Sequence, residues 1–209
     1  MPRAASPKPA ELPPFIAPQL AQLADRVPLG DSWIYEVKYD GYRCIAATRG
    51  DQARLYTRTG QDWTKRLGDV PRALAALRLA GTLIDGEICV LDAHGRSSFP
   101  ALQAARGRGL VYVVFDLLVE RGRDIRALPL IERKDRLRRL VEPAGSGLPL
   151  LYASHSAGDG ERVFATLCAI GAEGIIAKRS DRPYVSGKGR DWRKVKCPGY
   201  RRAAISETL

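Results

Sequence analysis

Residues 110–119, LVYVVFDLLV, constrain this chain more than any other segment. Strand side chains alternate between two faces, so residues 111–118, apolar at nearly every position, read as a strand covered on both sides. Only Asp116 interrupts it. As a helix the run is too short to span a bilayer. Other strand-like runs surround it: residues 33–49, broken by Gly41, then 53–57, 83–91, 150–153, 174–178 and 192–197. Helix signals are fewer. Asp69 with Pro71 opens one that runs to about residue 79, and Ser98 with Pro100 opens a short one. Residues 130–141 form a charged amphipathic helix. Residues 160–170 place Val163, Phe164, Leu167 and Ile170 on one face, with Gly171 suited to the stop. Strands dominate and helices intervene irregularly, which predicts an α+β fold with mostly antiparallel pairing. At 209 residues the chain is long enough to bury a sizeable core without staples.

The charge is uneven. Lysine and arginine number 34 against 23 acids, a formal net charge of +11. Between residues 178 and 202, ten basic residues meet only Asp181 and Asp191, so most of the surplus lies in one stretch. That asymmetry points to a polyanionic partner, with Tyr184 and Trp192 available for stacking; a solvated charged face is the plain alternative. The N-terminus has no apolar signal region. Residues 1–14 hold five of the 14 prolines and read as a disordered leader. Cys44, Cys89, Cys168 and Cys197 lie far apart without a CxxC pair, which argues against a zinc knuckle or disulfide framework and suits a reducing cytoplasm. With only His94 and His155, a histidine-rich metal site is not expected.

Five short segments can carry chemistry, although each alone also fits a polar strand face, a turn or ordinary core. In EVKYDGYR, alternation puts Glu36, Lys38 and Asp40 on one face and Tyr35, Val37 and Tyr39 on the apolar one. A lysine among carboxylates on a sheet face suits a nucleophile. In DGE, Asp85 and Glu87 share a face and could hold a metal or a ribose hydroxyl. Phe115 could stack on a base. Glu173, entering a strand after a helix end, could be a second metal carboxylate. Lys194 and Lys196 lie on one face, about 7 Å apart, where they could clamp a phosphate. No glycine-rich phosphate loop is present, so a phosphate site here must use side chains.

In this order, KYDGYR, DGE, FDLL, EGIIAK and WRKVK resemble the motifs of the covalent nucleotidyltransferases. They look most like the ATP-dependent ligase domain of the bacterial DNA ligase D family, which acts in end joining. LPPFIAPQLAQL, LYTRTGQDWT, GRSSFPALQ and SDRPYVSGKGRDW extend the resemblance over about residues 12–197. It implies two mostly antiparallel sheets with flanking helices and the nucleotide between the sheets. It also implies a reaction: a lysine takes AMP from ATP, passes it to the 5′-phosphate of a DNA nick, and a 3′-hydroxyl then seals the nick and releases AMP.

Matching positions receive roles on the same basis. Lys38 is the nucleophile, Glu36 holds the adenine amino group, and Arg43 contacts the sugar and the nick phosphate. Arg58 has a phosphate role, and Glu87 holds the ribose or a metal. Phe115 stacks on adenine, Glu173 binds Mg²⁺ or Mn²⁺, and Lys194 and Lys196 hold the α-phosphate. Asp40 is a positioning residue. Arg179, Lys188, Arg190 and Arg193 are candidate DNA contacts within the basic run. A lysine attacks only when neutral, and nearby cations such as Lys194, Lys196 and a metal favour that form.

The implied partners are nicked or broken double-stranded DNA and end-joining proteins, with no membrane; the implied location is the bacterial cytoplasm, at the nucleoid. The family usually continues past the last lysine motif into an OB-fold domain that closes over ATP and clamps DNA. The expected map is a leader at 1–14, an adenylation domain at 15–198 and a short tail at 199–209 without an OB-fold. Such a chain would charge itself slowly and seal nicks poorly unless an OB-fold came in trans. The alternatives are an RNA ligase, a GTP-dependent capping guanylyltransferase, or a non-catalytic nucleic-acid-binding remnant.

Overall fold

A computed structural model describes residues 11–145 and 147–200. Two sheets lie between helices in four layers. One sheet has five strands: β1 (Gln19–Leu23), β11 (Gly187–Lys196), β10 (Gly174–Arg179), β2 (Trp33–Val37) and β9 (Ser156–Ala157), in that spatial order. The other runs β4 (Gln52–Thr57), β3 (Tyr42–Arg49), β5 (Thr82–Cys89), β6 (Val111–Glu120) and β7 (Arg123–Asp124), with β8 (Leu150–Tyr152) also pairing β6. Pairing is antiparallel except at β1–β11 and β6–β8. The α+β reading therefore holds and every expected strand is present, while β1, β7 and β9 were not expected. Among the described residues no helix is long and apolar enough to cross a membrane.

The double-faced character of β6 has a direct cause. Tyr112, Val114 and Leu117 pack toward α1 (Val70–Ala76), α2 (Phe99–Ala104) and α3 (Leu130–Val141) with Leu74, Leu102 and Leu137. Val113, Phe115 and Leu118 pack toward the other sheet, against Tyr184 and Trp192. A third cluster places Tyr35, Ile175, Ala177 and Val195 against Leu167 of α4 (Gly160–Ala169). Asp116, the acid inside the apolar run of β6, is fully buried and receives a bidentate pair from Arg133, at 2.8 and 2.9 Å. Removing one partner of such a pair typically costs about 3–5 kcal/mol, so Asp116 and Arg133 fasten α3 to β6.

Local signals behave as their chemistry dictates, with exceptions. The Ser98 hydroxyl accepts from Ala101 N–H, and Asp159 accepts from Arg162 N–H, capping α2 and α4. Gly171 stops α4 at φ +81°. Asp69 makes no side-chain cap; its carboxylate takes the Arg72 guanidinium instead, and α1 ends at Ala76, earlier than expected. Strand β1 went unanticipated, because QLAQL is half polar and becomes a strand only by pairing along β11. Within the expected leader, residues 1–10 lie outside the described residues, while Leu12 packs on the inter-sheet core and Pro13 is buried. Of the expected tail, residues 201–209 lie outside the described residues, and the Tyr200 hydroxyl donates to Asp40 at 3.0 Å.

The cysteine expectation needs correction at one pair. Cys168 near the end of α4 and Cys197 just after β11 form a disulfide, with Cα atoms 5.4 Å apart. They are 29 residues apart in sequence, and only the packing of α4 beside β10, which pairs with β11, brings them together. Cys44 and Cys89 are free and buried.

Candidate active site

The two sheets part at one end to leave a cleft of about 350 Å³. Lys38 stands in it one residue past β2, where its amide donates to the Gly174 carbonyl at 3.0 Å. Two glycines nearby let the chain pass close to neighbouring strands, Gly41 to β5 and Gly174 to β11. A Cβ at Gly41 would lie 2.1 Å from the Ile88 carbonyl oxygen, and one at Gly174 would lie 2.1 Å from that of Val195. Lys38 Nζ donates to Glu173 Oε2 at 2.5 Å, and Lys196 Nζ lies 3.8 Å from Glu173 Oε1. Glu173 is buried and Lys38 only partly exposed. The fold thus joins two motifs that lie 135 residues apart.

Strand alternation does not survive the turn. Tyr35 and Val37 do face the α4 cluster, but Tyr39 packs on the inter-sheet core and lines the cleft. The chain leaves β2 at Val37, so residues 38–40 follow loop geometry, and the expected common face ends there.

At the back of the cleft stands Glu36, only 3% exposed. Lys134 of α3 lies 2.6 Å from Oε1, and Lys178 of β10 lies 2.6 Å from Oε2. Burial alone would raise the Glu36 carboxyl, but the two ammoniums outweigh it and hold the acid below its usual range. Burial drives Lys178 down to about 8, although Glu36 pulls it upward. The Lys178 head also sits 4.2 Å from the ring centres of both Phe115 and Trp192, cation–π contacts that keep it at the cleft wall.

Arg43 is held as firmly. It makes a two-point pair with Asp85 at 2.5 and 2.7 Å, and its guanidinium lies 4.5 Å from the Phe115 centroid. Tyr184 donates to Asp85 Oδ2 at 2.6 Å and accepts from the Gln19 amide at 2.8 Å. Burial disfavours the Arg43 charge, but Asp85 more than restores it, so the side chain is a fixed cation. Asp85 and Glu87 do share one face, yet they divide the work: Asp85 grips Arg43, and Glu87 lines the cleft. Burial pushes the Glu87 carboxyl up to about 7, against the pull of Arg43 and Lys38.

Arg58, Lys188 and Lys194 complete the basic wall. Burial lowers Lys194, and repulsion from Lys38 and Lys196 adds to the fall, because like charges crowded together disfavour the ammonium. Lys188, expected at DNA, lines the cleft. Arg193 donates to Gln22 at 2.7 Å, Arg179 pairs with Asp181 near Trp33, and Arg190 is exposed. A second cavity of about 260 Å³ shares Val37, Lys38, Tyr39 and Glu173 with the site and is rimmed by His94 and Arg96.

Sequence reasoning assigned no individual role to Lys134 or Lys178, and it offered Asp85 for a metal or ribose and Tyr184 for stacking, whereas Asp85 grips Arg43 and Tyr184 donates to Asp85. For Lys134 a signal existed: Leu130, Lys134, Leu137 and Val141 share one helical stripe, and a lysine inside such a stripe is out of place. Among the described residues no three His, Cys, Asp or Glu side chains form a metal cluster. Mg²⁺ needs only one or two carboxylates when phosphate oxygens and waters complete its shell; Glu87 lines the cleft, and Glu173 lines the adjoining cavity.

The described geometry has counterparts among known proteins. Residues 14–196 match the family model for the ATP dependent DNA ligase domain. The multifunctional non-homologous end joining protein LigD of Pseudomonas aeruginosa is 43% identical over 190 residues, covering 89% of this chain and 22% of that protein. A probable DNA ligase of Streptomyces coelicolor is 36% identical over 197 residues, covering 88% and 38%. Mycobacterial DNA ligase D complexed with ATP and MES superposes with a TM-score of 0.77 at 34% identity, covering 86% of this chain and 60% of that one. The chain thus spans well under half the length of these two curated relatives. Motif order, two-sheet architecture and these likenesses agree, and the chain belongs to the ATP-dependent DNA ligase domain family.

Proposed function

We propose that this chain is the self-charging domain of a DNA ligase, in which Lys38 takes AMP from ATP and hands it to the 5′-phosphate of a nick. One observation carries the reading: a partly buried lysine stands in a base-sized cleft, hydrogen-bonded to Glu173 and flanked by Lys194 and Arg58. The adenine edge meets Glu36 and the aromatic wall at Phe115. An ionised carboxylate has about four acceptor sites, so two lysines leave room for the 6-amino donor. Lys38 Nζ loses its proton, Glu173 Oε2 being the nearest acceptor, and attacks the α-phosphorus. The N–P bond forms, the bond to the β-phosphate oxygen breaks, and pyrophosphate leaves on the opposite side. Lys194 and Lys196 offset the charge on the phosphate. Glu173 and Glu87 would hold a divalent cation, Mg²⁺ or Mn²⁺, which adds Lewis-acid charge neutralisation at the phosphates. The phosphoramidate keeps AMP activated for the nick.

Nicked or broken duplex DNA is the proposed polyanionic partner, met by Arg179, Arg190 and Arg193, in bacterial end joining at the nucleoid. Sealing needs a DNA clamp from elsewhere in the same polypeptide or from another chain.

The test is charging by α-labelled ATP with Mg²⁺ or Mn²⁺, after pyrophosphate has stripped any bound AMP. Wild type should keep the label through a denaturing gel and Lys38→Ala should lose it. A folded wild type that takes no label under either metal would sink the reading.

A further inference from the structure

We infer that Lys134 is the positioning residue for nucleobase recognition, acting through Glu36 from outside the cleft. This rests on the ATP-charging reading above. Lys134 is fully buried, does not line the cleft, and sits on the core stripe of α3 among Leu130, Leu137 and Val141. An aliphatic side chain would complete that stripe without taking an ammonium out of water, a transfer that is expensive unless the charge is paired. Its pairing accounts for the charge. Nζ lies 2.6 Å from Glu36 Oε1, donates to the Ala153 carbonyl at 2.9 Å, and sits 4.8 Å from the Tyr152 ring centre.

The head is held from behind as well. Next to it, Arg133 bonds Asp116 twice and also the carbonyls of Leu128 and Arg182. This turn of α3 is therefore fixed to β6 and to the segment leading toward β11. Lys134 faces Glu36 from a rigid frame.

The consequence falls on the carboxylate. Lys134 and Lys178 draw its two oxygens in different directions, and that opposition sets the plane of the acid. Without Lys134, Lys178 is the remaining ion-pair partner, and its own head is held between Phe115 and Trp192. The carboxylate would then swing toward the aromatic wall, and its free lone pairs would leave the edge of the base. Lys134 touches no substrate in this scheme; it aims the group that does.

The test separates recognition from folding by comparing two nucleotides on each protein. Lysyl-nucleotide formation is measured with ATP and with purine riboside triphosphate, which lacks only the 6-amino group, on wild type, Lys134→Met and Lys134→Arg. A hydrogen bond to a charged acceptor supports a wild-type preference of roughly ten- to a hundredfold for ATP. Lys134→Met should bring that ratio close to one, mainly through a higher KM for ATP, and Lys134→Arg should recover much of it. If Lys134→Met does not fold, Lys134→Gln, which can still donate to Glu36 and Ala153 without a charge, should show a reduced ratio. A folded Met or Gln variant with the wild-type ratio would overturn the inference, leaving Lys134 a structural ion pair. A wild type that takes label from neither nucleotide would instead overturn the charging reading, and this inference with it.

Discussion

At the scale of single residues, the cleft is a set of charges that hold one another in place. Glu87 is the member with an unmet need: burial lifts its carboxyl from 4.5 to about 7, while its neighbours Asp85 and Asp40 repel its ionised form. The folded protein keeps the proton between those values and the unfolded chain gives it up. The associated stability is complete below about pH 4.5 and is lost as pH rises through about 7. Glu87→Gln removes this dependence. Its melting temperature relative to wild type should rise between pH 5 and pH 8, by the equivalent of about 1–3 kcal/mol. A difference flat with pH, measured by thermal melts without nucleotide or metal, would contradict the assignment. The charging rate should show the counterpart: the wild-type rate should climb through pH 7 as Glu87 ionises, and Glu87→Gln should flatten that limb.

At the scale of elements, the site depends on where strands end and how closely they approach. Gly174 opens β10 beside Glu173, and its backbone lies against β11. A methyl group there meets the Val195 carbonyl oxygen, so Gly174→Ala must separate the strands that carry Glu173 and Lys196. We expect a loss of about 1–3 kcal/mol in urea denaturation, with charging reduced more than stability alone explains. An Ala variant as stable and active as wild type would show that the strands part freely. The Cys168–Cys197 bridge ties α4 to the end of the same strand, and the Cys197 amide donates to the Glu173 carbonyl at 3.0 Å. Closing a loop of 29 residues stabilises by about 3.6 kcal/mol in the chain-entropy account. Dithiothreitol should therefore lower the melting temperature of wild type and leave Cys168→Ser unmoved; equal curves with and without reductant would exclude the bridge from the folded state.

At the scale of the whole molecule, the four-layer arrangement places the polar cleft between two apolar contact zones. One sheet takes α1 to α3 on its outer side and the other takes α4, which leaves the inner faces to meet over Val113, Leu118, Tyr184 and Trp192 and to part around Lys38. Much of this was readable from alternation. The double-faced run at 111–118 had to be covered on both sides, and Lys38, Glu87, Glu173, Lys194 and Lys196, to which the proposed function gives its chemistry, fell in short motifs whose order carried the resemblance. Most of the basic surplus in the last part of the chain also follows from counting.

Pairings across long sequence separations were decided only in three dimensions. Lys134 finds Glu36, Tyr184 finds Asp85, and Cys168 finds Cys197 because layers stack, and no local spacing encodes those meetings. Strand β1 exists because β11 is there to pair with it, and Tyr39 changes sides because β2 stops at Val37. The physical reason is common to all five cases. Periodicity and composition report which face of an element is apolar, a property of neighbours within a few residues. The partner of a buried charge is set by the packing of distant elements, which must satisfy that charge or leave it at high cost.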